Sequence, residues 1–352
     1  MKILHLIFSF DLGGAETILI DIANKQTLNN SVYVYIINDK YNKDLLGKFN
    51  DKVKVHLFNR KVGSRNIFKI FEINSKVLML TPDIIHCNDS NIICLLILNY
   101  FYKTILTVHG IDLTLVGIKK YNRVIAISSA VKDNLSRNEI SKVSVIYNGI
   151  DVTSIQPKIE QQYHRPFRMI QVSRLDHLIK GQHILLAALQ QLIVKYEITD
   201  FHIDFIGEGD SLSFLQELVV KYNLENKVSF LGLKDRSYIY SHLKEYDLLI
   251  QPSISEGFGL TVVEGMVAKL PVLVSSNSGP IEIIKNGQCG FFFKKGDFLD
   301  CTEKIKRIIE SPCEVHKVAI SGYRHAIDNF NIDNTVENYQ KEYAIITNII
   351  NK

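Results

Sequence analysis

Residues 248–264 read Leu248-Leu-Ile-Gln-Pro-Ser-Ile-Ser-Glu256-Gly-Phe-Gly-Leu-Thr-Val-Val-Glu264, and their pattern predicts a strand, a short loop and a helix. The apolar run ends at Gln251-Pro252, and we expect the helix to begin near Phe258–Leu260. The loop glycines allow the backbone to approach a ligand closely. The first N–H groups of a helix lack partners within it and carry its positive dipole end. The segment therefore predicts a site for phosphate or another anion.

Two carboxylates accompany this predicted anion site. Glu256 lies in the loop and Glu264 lies about one turn into the helix, so both can point into the same cleft. Carboxylates should not bind the phosphate itself. They suit ligand hydroxyls, because a carboxylate accepts two hydrogen bonds from a vicinal diol such as that of ribose. The alternative is that both are ordinary surface acids.

A second loop with charged side chains occurs at residues 172–181, Val-Ser-Arg174-Leu-Asp-His-Leu-Ile-Lys180-Gly. It follows an apolar strand, and Arg174 and Lys180 are six residues apart. The planar fork of arginine and the point charge of lysine can converge on one diphosphate. If a bond to that diphosphate breaks, both cations stabilise the departing charge. The alternative is a solvated loop with a surface ion pair.

Short apolar runs alternate with longer amphipathic segments along the whole chain, which predicts parallel sheets covered by helices on both faces. The expected fold class is α/β, with two Rossmann-like parallel-sheet domains, 1–152 and 166–330, that face each other across a cleft. A polar linker at 153–165 joins them, and a helical segment at 331–352 is able to cross back to the first domain. The expected strands are Lys2–Phe8, Val32–Ile37, Lys54–Phe58, Ile84–His86, Thr104–Val108, Arg123–Ile127, Val143–Ile146, Phe167–Val172, Phe201–Ile206, Val228–Leu231, Leu248–Gln251 and Val272–Val274.

The composition suits two globular domains and excludes a disordered or fibrous protein, since 46% of the 352 residues are hydrophobic and 22% are charged. The net charge of +4 is too mild to suggest a nucleic-acid binder. It is unevenly divided: residues 1–151 hold 19 Lys and Arg against 13 Asp and Glu, and the remainder holds 22 against 24. The five cysteines form no CxxC pair and no zinc pattern, so reduced thiols are expected.

The sequence shows no signal peptide before the first strand, and its most apolar stretch, Ile92–Tyr102, is far below the ~20 residues of a membrane span. We therefore expect a cytoplasmic protein, with a peripheral position on the inner face of the plasma membrane as an option. A basic amphipathic segment in the first half either lies on an anionic leaflet or forms a solvated helix face. Its residues are Arg60, Lys61, Arg65, Ile67, Lys69, Ile70, Phe71 and Leu78.

With its motifs in this order, the chain resembles the retaining glycosyltransferase family 4, the group 1 glycosyltransferases, whose GT-B architecture has two Rossmann-like domains. Glu256 and Glu264 are separated by seven residues, and Arg174 and Lys180-Gly181 precede them. Any one motif alone is weak, whereas the ordered set spans nearly the whole chain. The remaining motifs are Asp11-Leu-Gly-Gly-Ala-Glu16, Thr107-Val-His109-Gly110, Tyr147-Asn148-Gly149-Ile-Asp151 and Phe205-Ile-Gly-Glu-Gly-Asp210.

The resemblance implies roles for the residues of the second half. Arg174 and Lys180 would hold the diphosphate of a nucleotide-sugar donor. Glu264 would bind the ribose hydroxyls, and Glu256 the transferred sugar. The nucleoside pocket would be lined by the turn at Gly207 and Glu208. The backbone N–H groups that assist the two cations would be those of Phe258, Gly259 and Leu260.

The resemblance also implies roles for the first half. His109 would lie near the reacting centre, and Gly13 and Gly14 would form a loop that closes over donor and acceptor. Asn148 would belong to the donor site. The alternatives are that His109 is a structural residue and that Asn148-Gly149 is only a turn.

Such enzymes retain the anomeric configuration and need no metal or cofactor, because Arg and Lys neutralise the diphosphate. The Gly207-Glu-Gly209 turn is not an NAD fingerprint, since Leu212 occupies the place of the third glycine. The chain departs from the family pattern at Lys269 in place of a frequent glycine, at the loop Asn277-Ser-Gly279-Pro280, and at a short segment between Gly110 and Arg123. Because the last of these segments usually borders the acceptor in the family, the acceptor stays open.

The expected activity is transfer of a hexose or N-acetylhexosamine from a nucleoside-diphosphate sugar to a glycan or lipid-linked saccharide. UDP is favoured on family frequency, and the expected setting is cell-surface polysaccharide synthesis, meaning O-antigen, capsule or lipopolysaccharide. One alternative is a nucleotide-sugar epimerase of the same fold. Another is a non-catalytic partner that binds the nucleotide-sugar. Nucleic acid is not an expected partner, because no basic stripe carries interleaved aromatic residues.

Overall fold

The computed structural model describes residues 1–111, 113, 115–137, 140, 142–159, 163–276 and 278–348. The chain divides into two compact units, Met1–Ile150 with the C-terminal residues from Ile332, and Asp151–Asn331. Each unit has one parallel β-sheet with helices around it, which confirms the predicted fold class. Two residues of the short segment after Gly110, at positions 112 and 114, lie outside the described residues, and so does Asn277.

The first unit holds a seven-stranded sheet of order β3-β2-β1-β4-β5-β6-β7, in which every pair is parallel. Its strands consist of nearly continuous apolar residues because both faces of the sheet are covered. Its elements are β1 (Lys2–Ile7), α1 (Gly14–Gln26), β2 (Ser31–Asn38), α2 (Lys43–Leu46), β3 (Lys54–Arg60), α3 (Ile67–Leu80), β4 (Ile84–Cys87), β5 (Thr104–Val108), β6 (Arg123–Ala126), α4 (Ser129–Arg137) and β7 (Val143–Val145).

The second unit holds a six-stranded parallel sheet of order β10-β9-β8-β11-β12-β13. Its last strand was not predicted, because three phenylalanines between a glycine and two lysines are too short an apolar run to stand out. The elements are β8 (Phe167–Val172), α5 (His177–Lys180), α6 (Gln182–Tyr196), β9 (Phe201–Ile206), α7 (Leu212–Lys221), β10 (Val228–Phe230), α8 (Arg236–His242), β11 (Leu248–Gln251), α9 (Leu260–Val267), β12 (Val272–Ser275), α10 (Ser278–Ile283), β13 (Phe291–Phe293), α11 (Phe298–Glu310) and α12 (Pro312–Asn329).

The C-terminal helix α13 (Ile332–Asn348) belongs to the first unit. Its Tyr343 hydroxyl contacts Nδ1 of His86 at 2.7 Å and accepts a hydrogen bond from the Gln26 amide at 3.1 Å. Tyr339 contacts the Thr107 hydroxyl at 3.0 Å. All five side chains are buried, and burial keeps the pKa of His86 well below its ordinary value. The helix is therefore fixed to the sheet by specific hydrogen bonds as well as by apolar packing.

The polar segment near the unit boundary packs on the second unit. Lys158 reaches the buried Asp247 carboxylate at 2.6 Å, and His164 contacts the same carboxylate at 2.9 Å. Lys269 adopts φ +60, in the left-handed region that glycine prefers, and its ammonium lies 4.8 Å from the centre of the Tyr323 ring. This conformation accounts for the frequent glycine at that position of the family pattern.

Both sheets reverse their strand order at one point, between β1 and β4 in the first unit and between β8 and β11 in the second. Ligands of open α/β sheets bind beyond the carboxyl ends of the strands at this point. The loop with Arg174 and Lys180 follows β8, and the loop with Glu256 follows β11. The topology therefore places the two most informative sequence motifs side by side.

Candidate functional site

The loops after β8 and β11 are joined by backbone contacts. The N–H groups of Ile254 and Ser255 both donate to the carbonyl of Ile179, at 2.8 and 3.2 Å. Gly181 has φ +68, and a Cβ at this position would lie 2.0 Å from the carbonyl oxygen of Pro252. Only glycine allows the two backbones to approach so closely.

Lys180 and Glu256 form an ion pair at the centre of these loops. The Lys180 ammonium lies 2.7 Å from Oε2 of Glu256, and their side chains are only 20% and 17% exposed. Sequence reasoning placed the two residues on different parts of a ligand and did not foresee their contact. An ammonium group has three donors, so a bond to Glu256 leaves two N–H groups for other acceptors. The pair can therefore stay together while Lys180 binds an anion.

Arg174 lies on the same loop as Lys180 but pairs with another carboxylate. Its guanidinium donates to Oδ2 of Asp176 at 3.1 Å, and its side chain is 64% exposed. Exposed ion pairs of this kind contribute little stability. Asp176 is therefore a weak competitor for Arg174 when a diphosphate is present.

Two buried glutamines support the loops, and the sequence analysis missed both. Gln182 donates to the carbonyl of Arg174 at 2.9 Å. Gln251 donates to the Ser253 hydroxyl at 2.8 Å and to Oε2 of Glu256 at 3.4 Å. A polar side chain at the end of an apolar strand, as at Gln251, was the signal that could have indicated this role.

Glu264 lies in α9, largely buried. It accepts a hydrogen bond from the hydroxyl of Tyr240, a buried residue of α8, at 3.2 Å. The Tyr240 hydroxyl in turn accepts a hydrogen bond from Nε of Arg236. One oxygen of Glu264 is thus held in place by a chain of two donors. Neither Tyr240 nor Arg236 belongs to a motif, so no sequence pattern indicates their role.

The start of α9 is anchored by an aromatic contact. The helix begins at Leu260, directly after Gly259. The Phe258 side chain is buried and packs edge-to-face against Phe330, with ring centres 5.7 Å apart. The ring therefore fixes the position of the first turn of α9, whose backbone N–H groups the sequence assigned to an anion.

The segment at Gly207 and Glu208 follows β9 and lies against the Arg174 loop. The carbonyl of Glu208 accepts a hydrogen bond from the Leu175 N–H at 2.9 Å. A Cβ on Gly207 would lie 2.0 Å from the carbonyl oxygen of Ser173, so this close approach needs glycine. The Glu208 side chain is exposed. Three loops of the second unit thus meet at one edge of its sheet.

His109 follows β5 in the first unit. Its Nε2 lies 3.1 Å from Oδ1 of Asn88, which follows β4, and its Nδ1 is buried without a hydrogen-bond partner among the described residues. Because an amide oxygen only accepts, Nε2 carries the proton and Nδ1 presents a lone pair. Burial lowers the pKa of His109 to about 4. The ring is therefore neutral at pH 7 and can accept a hydrogen bond through Nδ1.

The other first-unit residues of the sequence analysis lie near strand ends. Gly13 and Gly14 are exposed, and α1 begins at Gly14. Asn148 is buried, and its Oδ1 has no hydrogen-bond partner among the described residues. Residues 146–149 form no turn, so the interpretation of Asn148-Gly149 as a simple turn is wrong.

Two family profiles match consecutive parts of the chain. Glycosyltransferase Family 4 matches residues 12–154, and Glycosyl transferases group 1 matches residues 153–325. Together they cover the strands and loops that carry every candidate residue described above. The chain therefore belongs to the group 1, or family 4, glycosyltransferases.

Individual relatives agree with this assignment. An uncharacterised glycosyltransferase of Methanocaldococcus jannaschii is 29% identical over 251 residues, 68% of this chain and 67% of that protein. The O-antigen chain mannosyltransferase RfbU of Salmonella typhimurium is 28% identical over 229 residues, 62% of this chain and less than two thirds, 58%, of that protein. The structure of Anabaena HepE in complex with UDP and glucose has a TM-score of 0.84 at 23% identity and covers 98% of this chain and 99% of its own. This likeness confirms the GT-B fold.

Proposed function

We propose that this glycosyltransferase is a retaining enzyme that moves a hexose or N-acetylhexosamine from a nucleoside-diphosphate sugar, UDP being favoured, to a glycan or lipid-linked saccharide. One observation carries the proposal. The Lys180–Glu256 pair, the Arg174 loop and the start of α9 all lie at the strand-order reversal between β8 and β11. This position is where open α/β sheets bind nucleotides.

In this proposal, different residues of the site bind different parts of the donor. Lys180 and Arg174 neutralise the diphosphate while the bond between the sugar C1 and the diphosphate oxygen breaks. The acceptor hydroxyl forms the new bond to C1, and its proton passes to the departing diphosphate. Glu256 orients the sugar hydroxyls, and Glu264, held by Tyr240, binds the ribose diol. Because Lys180 and Arg174 supply the positive charge, we propose that no metal is required.

The setting proposed for this reaction is the synthesis of cell-surface polysaccharide at the inner face of the plasma membrane. RfbU, one of the relatives, is named for the O-antigen chain, and HepE, which shares the fold, was solved with UDP and glucose. These names support a surface glycan as acceptor and UDP as the first nucleotide to test. Within the described part of the chain, none of the helices is long and apolar enough to cross a bilayer.

The experiment is calorimetric titration of the purified chain with UDP, GDP, ADP and NADH, with no metal added. We expect micromolar binding of one nucleoside diphosphate and loss of that binding in Glu264→Ala, because the ribose diol loses its acceptor. Glu217→Ala, which removes an exposed acid from α7 of the same unit, is the matched control and should bind as the wild type does. Binding of NADH alone would contradict the proposal.

A second measurement separates transfer from epimerisation. The nucleoside diphosphate that binds shows which nucleotide-sugars to test as donors. The chain is then incubated with these nucleotide-sugars and a mixture of saccharide acceptors. Transfer with the anomeric configuration of the donor kept, in the presence of EDTA, supports the full proposal. Conversion of the donor to its epimer without acceptor would instead assign the epimerase alternative.

A further inference from the structure

The outward side of α3 is unusually apolar. Only Ile73 and Val77 of this 14-residue helix are fully buried against the first unit. Phe68 is 77% exposed and Met79 is 70% exposed. Three more exposed apolar side chains of the helix are Ile67, Phe71 and Leu78. The helix therefore presents more large apolar side chains to solvent than to its own core.

A neighbouring segment extends this apolar surface. The side chain of Asn74 donates to the carbonyl of Leu95 at 2.9 Å and accepts from the N–H of Ile97 at 2.9 Å. These two bonds hold residues 95–101 beside α3. In that segment Phe101 is 83% exposed, and the other exposed apolar residues are Ile97, Leu98 and Tyr100. We call the exposed apolar residues of α3 and of 97–101 the α3 patch.

The charges around the α3 patch are mostly positive. Residues 61–82 contain four basic residues and one acidic residue, Glu72, and residues 91–103 contain Lys103 and no acid. Glu72 is paired with Lys69 at 2.8 Å. Lys61 and Arg65 are exposed before the helix. Arg60, which the sequence analysis counted with them, is buried and donates to Asn38 at 3.0 Å, so it takes no part in this surface.

Soluble proteins seldom expose contiguous apolar patches of this extent without a partner. A second copy of the chain is a poor partner, because a two-fold interface repeats the same residues on both sides and would bring basic residues towards each other. An anionic lipid surface suits both the exposed apolar side chains and the basic residues around them. The apolar side chains can bury themselves among the acyl chains, and the negatively charged headgroups attract Lys and Arg.

We propose that the α3 patch docks the first unit on an anionic bilayer, with Phe68, Met79 and Phe101 inserted at the boundary between headgroups and acyl chains. This inference rests on the proposed function, because a bilayer surface is where a lipid-linked saccharide would be met. It assigns that contact to α3 and 97–101. The sequence analysis considered residues 97–101 only as part of the apolar stretch Ile92–Tyr102, which is too short to span a membrane.

The test is co-sedimentation of the full chain with vesicles of phosphatidylcholine alone and with vesicles of about two parts phosphatidylcholine to one part phosphatidylglycerol, whose surface is negatively charged. We expect binding to the anionic vesicles that weakens at high salt. The variant Phe68→Ser/Phe101→Ser should reduce partitioning at least about tenfold, because each phenylalanine contributes through its buried area. Lys61→Glu/Arg65→Glu should reduce it on anionic vesicles only.

The matched control is Val194→Ser/Val220→Ser, which removes two exposed apolar side chains from helices of the second unit and should leave partitioning unchanged. Equal vesicle binding by the patch variant and the wild type would overturn the proposal. The proposal would also be overturned if the wild type were a dimer, the patch variant were a monomer, and neither bound vesicles. UDP titration of the same variants distinguishes the two proposals. A patch variant that loses vesicle binding but keeps nucleotide binding supports docking through the α3 patch. A wild-type chain that binds vesicles but no nucleotide contradicts only the proposed function.

Discussion

The Lys180–Glu256 pair joins the loops after β8 and β11, and both of its members are proposed to contact the donor. Its 2.7 Å contact is mostly shielded from solvent. Removing one partner from such a pair leaves an uncompensated charge, which costs more than the pair itself contributes. The pair should therefore show strong coupling between its two members.

We expect Lys180→Met to destabilise the second unit by about 1–3 kcal/mol, because Glu256 loses its cation in a largely buried position. Lys180→Met/Glu256→Gln should recover most of that loss, since no unpaired charge remains. Neither variant should bind a nucleoside diphosphate at wild-type affinity. Urea unfolding and calorimetry measure the two effects. Equal stability of the single and double variants would show that the contact is not energetically significant.

Sequence spacing predicted Lys180 and Glu256 as site residues, but it could not show their contact, because they are 76 positions apart. The supporting residues Gln182, Gln251 and Tyr240 were missed for a related reason. Their hydrogen bonds connect separate loops and helices, and only Gln251, a polar residue at the end of an apolar strand, carries a local signal. Motifs show which groups reach a ligand, whereas supporting contacts depend on the tertiary structure.

At the scale of elements, the site depends on how closely the loops after β8, β9 and β11 approach one another. The strands other than β13 were predictable, because short apolar runs bounded by polar or turn residues alternate with longer amphipathic segments. The α3 helix was predicted as amphipathic, with its outer face undecided between solvent and membrane. Only the structure shows that Ile73 and Val77 are its buried residues.

Gly181 and Gly296 offer a matched test of close loop packing. Both residues have left-handed backbones, with φ +68 at Gly181 and φ +78 at Gly296. A Cβ added at Gly181 would collide with the carbonyl of Pro252, whereas a Cβ added at Gly296 would have no atom within 4 Å. Gly296→Ala should cost about 1 kcal/mol for the backbone conformation alone. Gly181→Ala should cost about 1–3 kcal/mol more, because the loops must separate. Urea unfolding of both variants checks this, and equal losses would contradict the packing argument.

At the scale of the molecule, the second unit is an insertion into the first. Ile332 donates its N–H to the carbonyl of Ile150 at 2.9 Å, so the chain leaves and re-enters the first unit at neighbouring points. Without α13, His86, Gln26 and Thr107 lose their buried tyrosine partners. Two buried tyrosines and their hydrogen bonds are worth about 5 kcal/mol, which is comparable to the whole stability of many domains.

We therefore expect residues 151–331 alone to unfold cooperatively in urea and to bind the same nucleoside diphosphate. Residues 1–150 alone should not fold. Residues 1–150 joined by a short Gly-Ser linker to 332–352 should recover a cooperative transition, since the linker has only a short gap to span. A cooperative transition for 1–150 by itself would show that α13 is dispensable.

The return of α13 also affects the order in which the protein is made. Domains generally fold as units while the chain is being synthesised, the N-terminal one first. Here the first unit lacks α13 until Ile332–Asn348 have left the ribosome. The second unit can thus fold on the nascent chain before Tyr339 and Tyr343 of the first unit have been made. A translation product that stops before α13 would therefore carry a folded second unit beside an unfolded first unit, and it would be a natural target for chaperones and proteases.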